Sequence, residues 1–163
     1  VRKLLKLFLG LNFLAILITI YLTYLHYRPS ASTICKINEY WDCDIVNKST
    51  YSEFFGVPVS ILGLLTYLFL FLLALAIYRG FRFSRWNKNL RAINLFWFMF
   101  AIVAGGILFS GYLTYVELFV LQAICIFCLA QQIIIILDLF ILLSILSTID
   151  AGKKDHPEVC EFC

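Results

Sequence analysis

Four uninterrupted apolar runs constrain this chain more than any other feature. Residues 7–27, 54–78, 92–116 and 118–137 contain no Lys, Arg, Asp or Glu. Each can cross a hydrocarbon layer of roughly 30 Å as a helix of about 20 residues. In lipid every backbone N–H and C=O must be satisfied within the protein, which restricts spanning segments to helices or closed barrels. At 63% hydrophobic and a mean hydropathy of +0.93, 163 residues carry more apolar surface than a soluble domain of this size can bury. The expected fold is an all-α membrane protein: a four-transmembrane-helix bundle over residues 1–149, an outer loop at about 28–57 between helices 1 and 2, and a polar tail, 150–163, expected to be disordered. The first run is longer than the apolar region of a signal peptide and no small-residue cleavage site follows it, so it is expected to remain in place.

Basic residues set the orientation, because Lys and Arg near span ends stay on the cytoplasmic side. Arg2, Lys3 and Lys6 precede the first run, Arg79, Arg82, Arg85, Lys88 and Arg91 fill the second link, and Lys153 and Lys154 follow the last span, ten of the 13 basic residues. The loop between runs one and two has only Arg28, Lys36 and Lys48, against Glu39, Asp42, Asp44 and Glu53. Both termini are therefore expected in the cytoplasm and the loop on the outer side, in a plasma or inner membrane rather than the ER. The net charge of +3 reflects this topology, with no basic patch interleaved with aromatics to bind nucleic acid.

Cysteines supply the chemistry. Cys125-Ile-Phe-Cys128 lies within the fourth apolar run, near its outer end, and Cys35-x7-Cys43 lies in the outer loop. At i and i+3 of a helix the two sulfurs of the C-x-x-C share a face, close enough to bond if the first turn relaxes. The loop spacing suits a small disulfide-closed loop on the oxidising side. Two dithiols on one side of a membrane read as a relay: thiol–disulfide exchange carries two electrons from loop pair to buried pair, and a lipid-soluble quinone accepts them where no haem or flavin motif is present. A non-catalytic protein with two structural disulfides is the alternative of another class, and a four-cysteine zinc site is a third reading.

Other residues invite both structural and functional readings. Tyr21, Tyr24, His26 and Tyr27 close span one as interfacial anchors, with His26 also a candidate thiol base. Phe54, Phe55 and Val57 precede Pro58, expected at the first helical position, and form a lid over the redox pair. Asn47-Lys-Ser49 matches a glycosylation acceptor, relevant only in a eukaryotic secretory setting. Ser60, Gly63 and Thr66, Ala101-x-x-x-Gly105 and Gly106-x-x-x-Ser110 read as close-packing seams. Tyr112, Thr114 and Tyr115 gather near the outer end of span three, and Glu117 marks a short turn before span four. Asp138, about 20 Å along the helix from Cys125, is expected to pair with an arginine of the inner link.

Taken together, Cys35-x7-Cys43, Ser49 six residues later, Phe55-Gly56-x-Pro58 and Cys125-x-x-Cys128 resemble the vitamin K epoxide reductase family across nearly the whole transmembrane chain. The resemblance implies a four-helix bundle around a quinone of menaquinone, ubiquinone or vitamin K type, capped by the outer loop. It implies that Cys35 meets a thioredoxin-like partner, Cys43 shuttles to Cys125, and Cys128 faces the quinone. Ser49, Ser52, Phe55 and Gln132 are the further quinone-contact positions it implies. Ser52 and Gln132 stand where epoxide-reducing animal enzymes carry asparagine and tyrosine, and the Gly-x-Pro motif resembles microbial members, so quinone-linked disulfide formation is expected and vitamin K epoxide reduction is the alternative. The terminal Cys160-x-x-Cys163 resembles the stub of a thioredoxin-like extension. A quinone-linked oxidase of the DsbB type places its C-x-x-C in the first outer loop, the reverse of this order.

Overall fold

A computed structural model describes residues 1–27, 42–54, 56–80 and 92–155. Four helices are long and apolar enough to cross a membrane: α1 (Arg2–Tyr27), α3 (Val59–Tyr78), α4 (Ala92–Val116) and α5 (Ile126–Asp155). They form the expected bundle, and the protein is an integral membrane protein. Between α1 and α3 lie a short helix α2 (Cys43–Asn47), a tight turn Thr50–Ser52, and a two-stranded antiparallel hairpin, β1 (Glu53–Phe54) with β2 (Val57–Pro58). Gly56 turns this hairpin at φ +77°, a left-handed conformation open to glycine at little cost. Pro58 therefore pairs in the hairpin and caps α3 from outside, one position ahead of the expected first helical residue.

Helix ends follow from local chemistry. At the C-terminus of α3, the Arg79 N–H donates to Leu75 O (2.9 Å) and the Gly80 N–H to Ile77 O (3.0 Å). Gly80 sits at φ +75° and stops the helix. α4 does not end at the turn expected at Glu117. It continues for five residues as a π-helical turn, Glu117–Leu121, and the chain reverses at Gln122, whose φ of 50° is left-handed. α5 runs to Asp155, so residues 150–155, expected in the polar tail, are helical instead. Its 30 residues extend about 45 Å, more than one crossing requires.

Packing divides the bundle into two halves. Toward the end far from the cysteines, Leu5 and Phe8 of α1, Leu70, Ala74 and Ile77 of α3, Leu95, Phe96, Met99 and Val103 of α4, and Ile141, Leu142 and Ile145 of α5 form one buried core. Since lipid is as apolar as these side chains, shape complementarity and interhelical hydrogen bonds hold the helices together. Asn12 Nδ2 donates to Asp138 Oδ2 (3.0 Å) in this interior, a bond worth roughly 0.6–2 kcal/mol. Asp138 thus pairs with α1; the inner link expected to supply an arginine lies, beyond Gly80, outside the described residues. Toward the cysteine end the helices separate around a cavity.

The small-residue patterns divide accordingly. A Cβ on Gly106 would stand 2.6 Å from Ile135 Cδ1, so this glycine does bring α4 against α5. Ala101 and Gly105 face outward, and nothing lies within 4 Å of where a Gly105 Cβ would stand. That pattern is not a seam here. Ser60, Gly63 and Thr66 line the cavity wall, with Gly63 also 3.4 Å from Thr19 Cγ2 of α1 at the position of a Cβ.

Candidate active site

The dithiol stands where the π-helical turn, the left-handed Gln122 and α5 meet. Cys125 immediately precedes α5, and its carbonyl accepts the Leu129 N–H (3.0 Å) as the first bond of that helix. Cys128 lies one turn further in. Both thiols are free and their side chains hydrogen-bond to each other. Cys125 is completely buried, whereas Cys128 is half-buried and lines the cavity. Cys125 sits in the link outside both neighbouring spans. Its thiol is drawn below the ordinary range chiefly by the hydrogen bond with the Cys128 side chain, against burial and the neighbouring Glu117 carboxyl. A thiol of lowered pKa leaves readily in thiol–disulfide exchange, which suits Cys125 to release from a mixed disulfide.

A third cysteine comes to the same place. Cys43 opens α2, is disulfide-bonded and is wholly buried. It packs with Leu22, Val46, Ala123 and Cys125 in one apolar cluster, against which Cys128 and Phe127 also rest. Phe127 meets Tyr21 edge to face at 5.1 Å, which turns one of the expected interfacial anchors inward. Cys35 and Phe55 lie outside the described residues, as do Cys160 and Cys163.

The cap is fastened to α1 by its own polar atoms. Asn47 Nδ2 donates to Leu22 O (2.8 Å) and His26 Nδ1 donates to Asn47 O (2.6 Å). His26 Nε2 lies 3.5 Å from Glu53 Oε1. His26 is therefore a clasp between α1 and the cap rather than a base beside the thiols, and the buried Asn47 amide is committed to α1 rather than offered for glycosylation. On the cap's other side Phe54 meets Phe109 of α4 edge to face at 6.4 Å, so the lid reaches the third span.

Beneath the cap lies a cavity of about 230 Å³ walled mainly by apolar side chains of all four spanning helices. Leu62 and Thr66 of α3 and Phe109 of α4 line it and are also exposed, which places an opening toward lipid between these two helices. Ser49, Ser52 and Cys128 line it as well. The Ser49 hydroxyl donates to Val46 O (2.8 Å), and the Ser52 hydroxyl is 2.7 Å from both Asn47 O and Ser49 O. Gln132 is not in the wall. It accepts a hydrogen bond from Thr114 Oγ1, while Thr114 borders the cavity. Tyr112 and Tyr115 face outward, Tyr115 against Phe119.

Three wall residues escape a reading based on resemblance and turn position. Gln131 lies three residues after Cys128, hence on its helix face, a spacing that marks it without any structure. Its Nε2 donates to Ala15 O (2.9 Å) and its Oε1 is buried without a partner. Ser60 Oγ, also in the wall, is buried without a partner. Glu117 is the third, an acid inside an apolar span and so visible in the sequence as a functional candidate. A quinone fits these needs: its carbonyl can accept from Ser60, the hydroquinone hydroxyl can donate to Gln131, and its ring matches the apolar wall.

A membrane helix bundle with one thiol of a cysteine pair in the wall of a largely apolar cavity suits a class, the membrane-embedded oxidoreductases that use a lipophilic electron acceptor. The model of the vitamin K epoxide reductase family matches residues 6–143, and the chain belongs to that family. Its function is accordingly redox chemistry linked to a quinone. Among curated proteins, none matches this chain.

Proposed function

We propose that the protein oxidises a thioredoxin-like partner on the outer side of the membrane and supports disulfide formation there. Cys35 and Cys43 receive two electrons from the partner's dithiol and pass them to Cys125 and Cys128, which deliver them to a membrane quinone. One observation carries this reading. Cys43, disulfide-bonded, shares an apolar cluster with Cys125 of the free dithiol, while Cys128 borders the cavity.

In each exchange a thiolate attacks a disulfide sulfur, one S–S bond forms as another breaks, and the displaced thiolate takes up a proton. Between the pairs the Cys43 thiolate attacks Cys125 and displaces Cys128, and Cys35 then attacks Cys43 and displaces Cys125, whose lowered pKa makes it a good leaving group. Cys128, deeper by three residues, about 4.5 Å of helix rise, serves the acceptor. Supporting the outward orientation is the excess of Lys and Arg at the opposite ends of the spans. The acceptor is a quinone rather than an epoxide in this reading, because Gln132 is engaged by Thr114 and stands outside the wall.

The test is Cys43→Ala in purified protein supplied with quinone. Oxidation of a reduced thioredoxin-like protein should fall to background, while a small dithiol such as dithiothreitol still reduces Cys125–Cys128 and sustains quinone reduction. Unchanged oxidation of the protein substrate would refute the relay.

A further inference from the structure

From the contacts at the head of α5 we infer that Glu117 is the proton-transfer residue of the dithiol-to-quinone step, an inference that rests on the function proposed above. Oxidising two thiols releases two protons, and both must reach the quinone oxygens for hydroquinone to form. Glu117 is the carboxyl group placed to take one. It is 7% exposed and begins the π-helical turn, a helix form frequent at functional sites. Its Oε2 accepts the Cys125 N–H at 3.4 Å, and its side chain hydrogen-bonds the Cys128 thiol. It also lines the cavity into which Cys128 faces.

A structural role accounts poorly for an acid at this place. Burying a carboxylate costs several kcal/mol unless it is paired, and among the described residues no Lys, Arg or His pairs with Glu117. Its hydrogen bonds go to the redox dithiol itself. A glutamine would make the contact to the Cys125 N–H equally well and would carry no exchangeable acid proton.

The step balances as follows. The Glu117 carboxylate takes the Cys128 thiol proton, and the Cys125–Cys128 bond forms as both S–H bonds break. The electron pair passes to the quinone, which is reduced to hydroquinone. Glu117 then returns its proton to one quinone oxygen, the Cys125 proton completes the other O–H, and the carboxylate is restored. A base within hydrogen-bond reach of the proton it takes contributes about 10²–10⁴-fold to such a step.

Two measurements test this on the full chain. In anaerobic single turnovers with pre-reduced protein and a short-chain soluble quinone, Glu117→Gln should slow quinone reduction about 100-fold and leave quinone affinity unchanged by fluorescence quenching. Glu117→Asp, which keeps the acid but withdraws it by one methylene, should retain part of the rate. Without quinone, the infrared difference spectrum between disulfide and dithiol forms should contain a carboxyl band that Glu117→Gln removes. Wild-type rates in Glu117→Gln, or a difference spectrum lacking that band, overturn the inference and leave the relay standing. Wild-type protein that fails to reduce the quinone overturns the relay, and this inference with it. If Glu117→Gln does not fold, Glu117→Asp decides: an unchanged rate and an unshifted carboxyl band overturn the assignment.

Discussion

Cys125 and Cys128 are one helical turn apart, yet one is packed among apolar side chains beside Cys43 and the other borders a cavity. The roles proposed for them differ for that reason. With Cys125→Ala, Cys128 should remain as a thiol against bound quinone with no neighbour able to displace it, since the resolving sulfur one turn away is gone. A visible charge-transfer band should appear, vanish on acidification as the thiolate protonates, and be absent from Cys125→Ala/Cys128→Ala. A band in Cys128→Ala alone would exchange the two roles. Cys43, Cys125 and Cys128, which come together here, were readable from spacing because sulfur chemistry announces itself by residue type, while Cys35 lies outside the described residues. The polar wall was less so: a resemblance pointed to Gln132, while helix phase from Cys128 places Gln131 in the cavity. Glu117 was equally visible as an isolated acid, but position in sequence could not reveal that a π-helical turn carries it back to the dithiol.

Among the elements, α3 and α4 create both the cavity and its opening. Glycine and serine at four-residue spacing looked alike in the sequence, and only the rotation of each helix separates seam, wall and lipid face. Ser110 is half-buried in the wall, whereas Gly105 looks outward into open space. Ser110→Phe should therefore fill the cavity and weaken quinone binding at least about tenfold, equivalent to 1.4 kcal/mol, with exchange at Cys43 retained. Gly105→Phe adds the same ring to the same helix and should leave binding unchanged. Equal losses in both variants, measured by quinone titration of detergent-purified protein, would mean the cavity is not the quinone site. Spans and their order were legible because hydrocarbon length and backbone satisfaction leave few alternatives. The ends were not: α4 runs through Glu117 and α5 extends to Asp155, since local hydrogen bonding rather than hydropathy stops a helix.

At the scale of the molecule, a dense far half holds the helices while the cysteine half stays hollow beneath a clasped cap. In the proposed mechanism this arrangement limits water at the sulfurs and admits a lipid-soluble acceptor from the side. His26, Asn47 and Phe54 fasten the cap to α1 and α4, so the loop cysteine and the buried dithiol meet without a large domain motion. In the proposed mechanism the buried dithiol gives its electron pair directly to quinone. Anaerobic mixing of fully reduced protein with one equivalent of short-chain quinone, followed by rapid alkylation and mass analysis, tests it most directly. Quinone absorbance should disappear in step with loss of alkylatable Cys125 and Cys128, one hydroquinone per disulfide, and equally fast in Cys43→Ala. Quinone consumed while both thiols remain alkylatable, or a dithiol that stays reduced beside unreacted quinone, would contradict it.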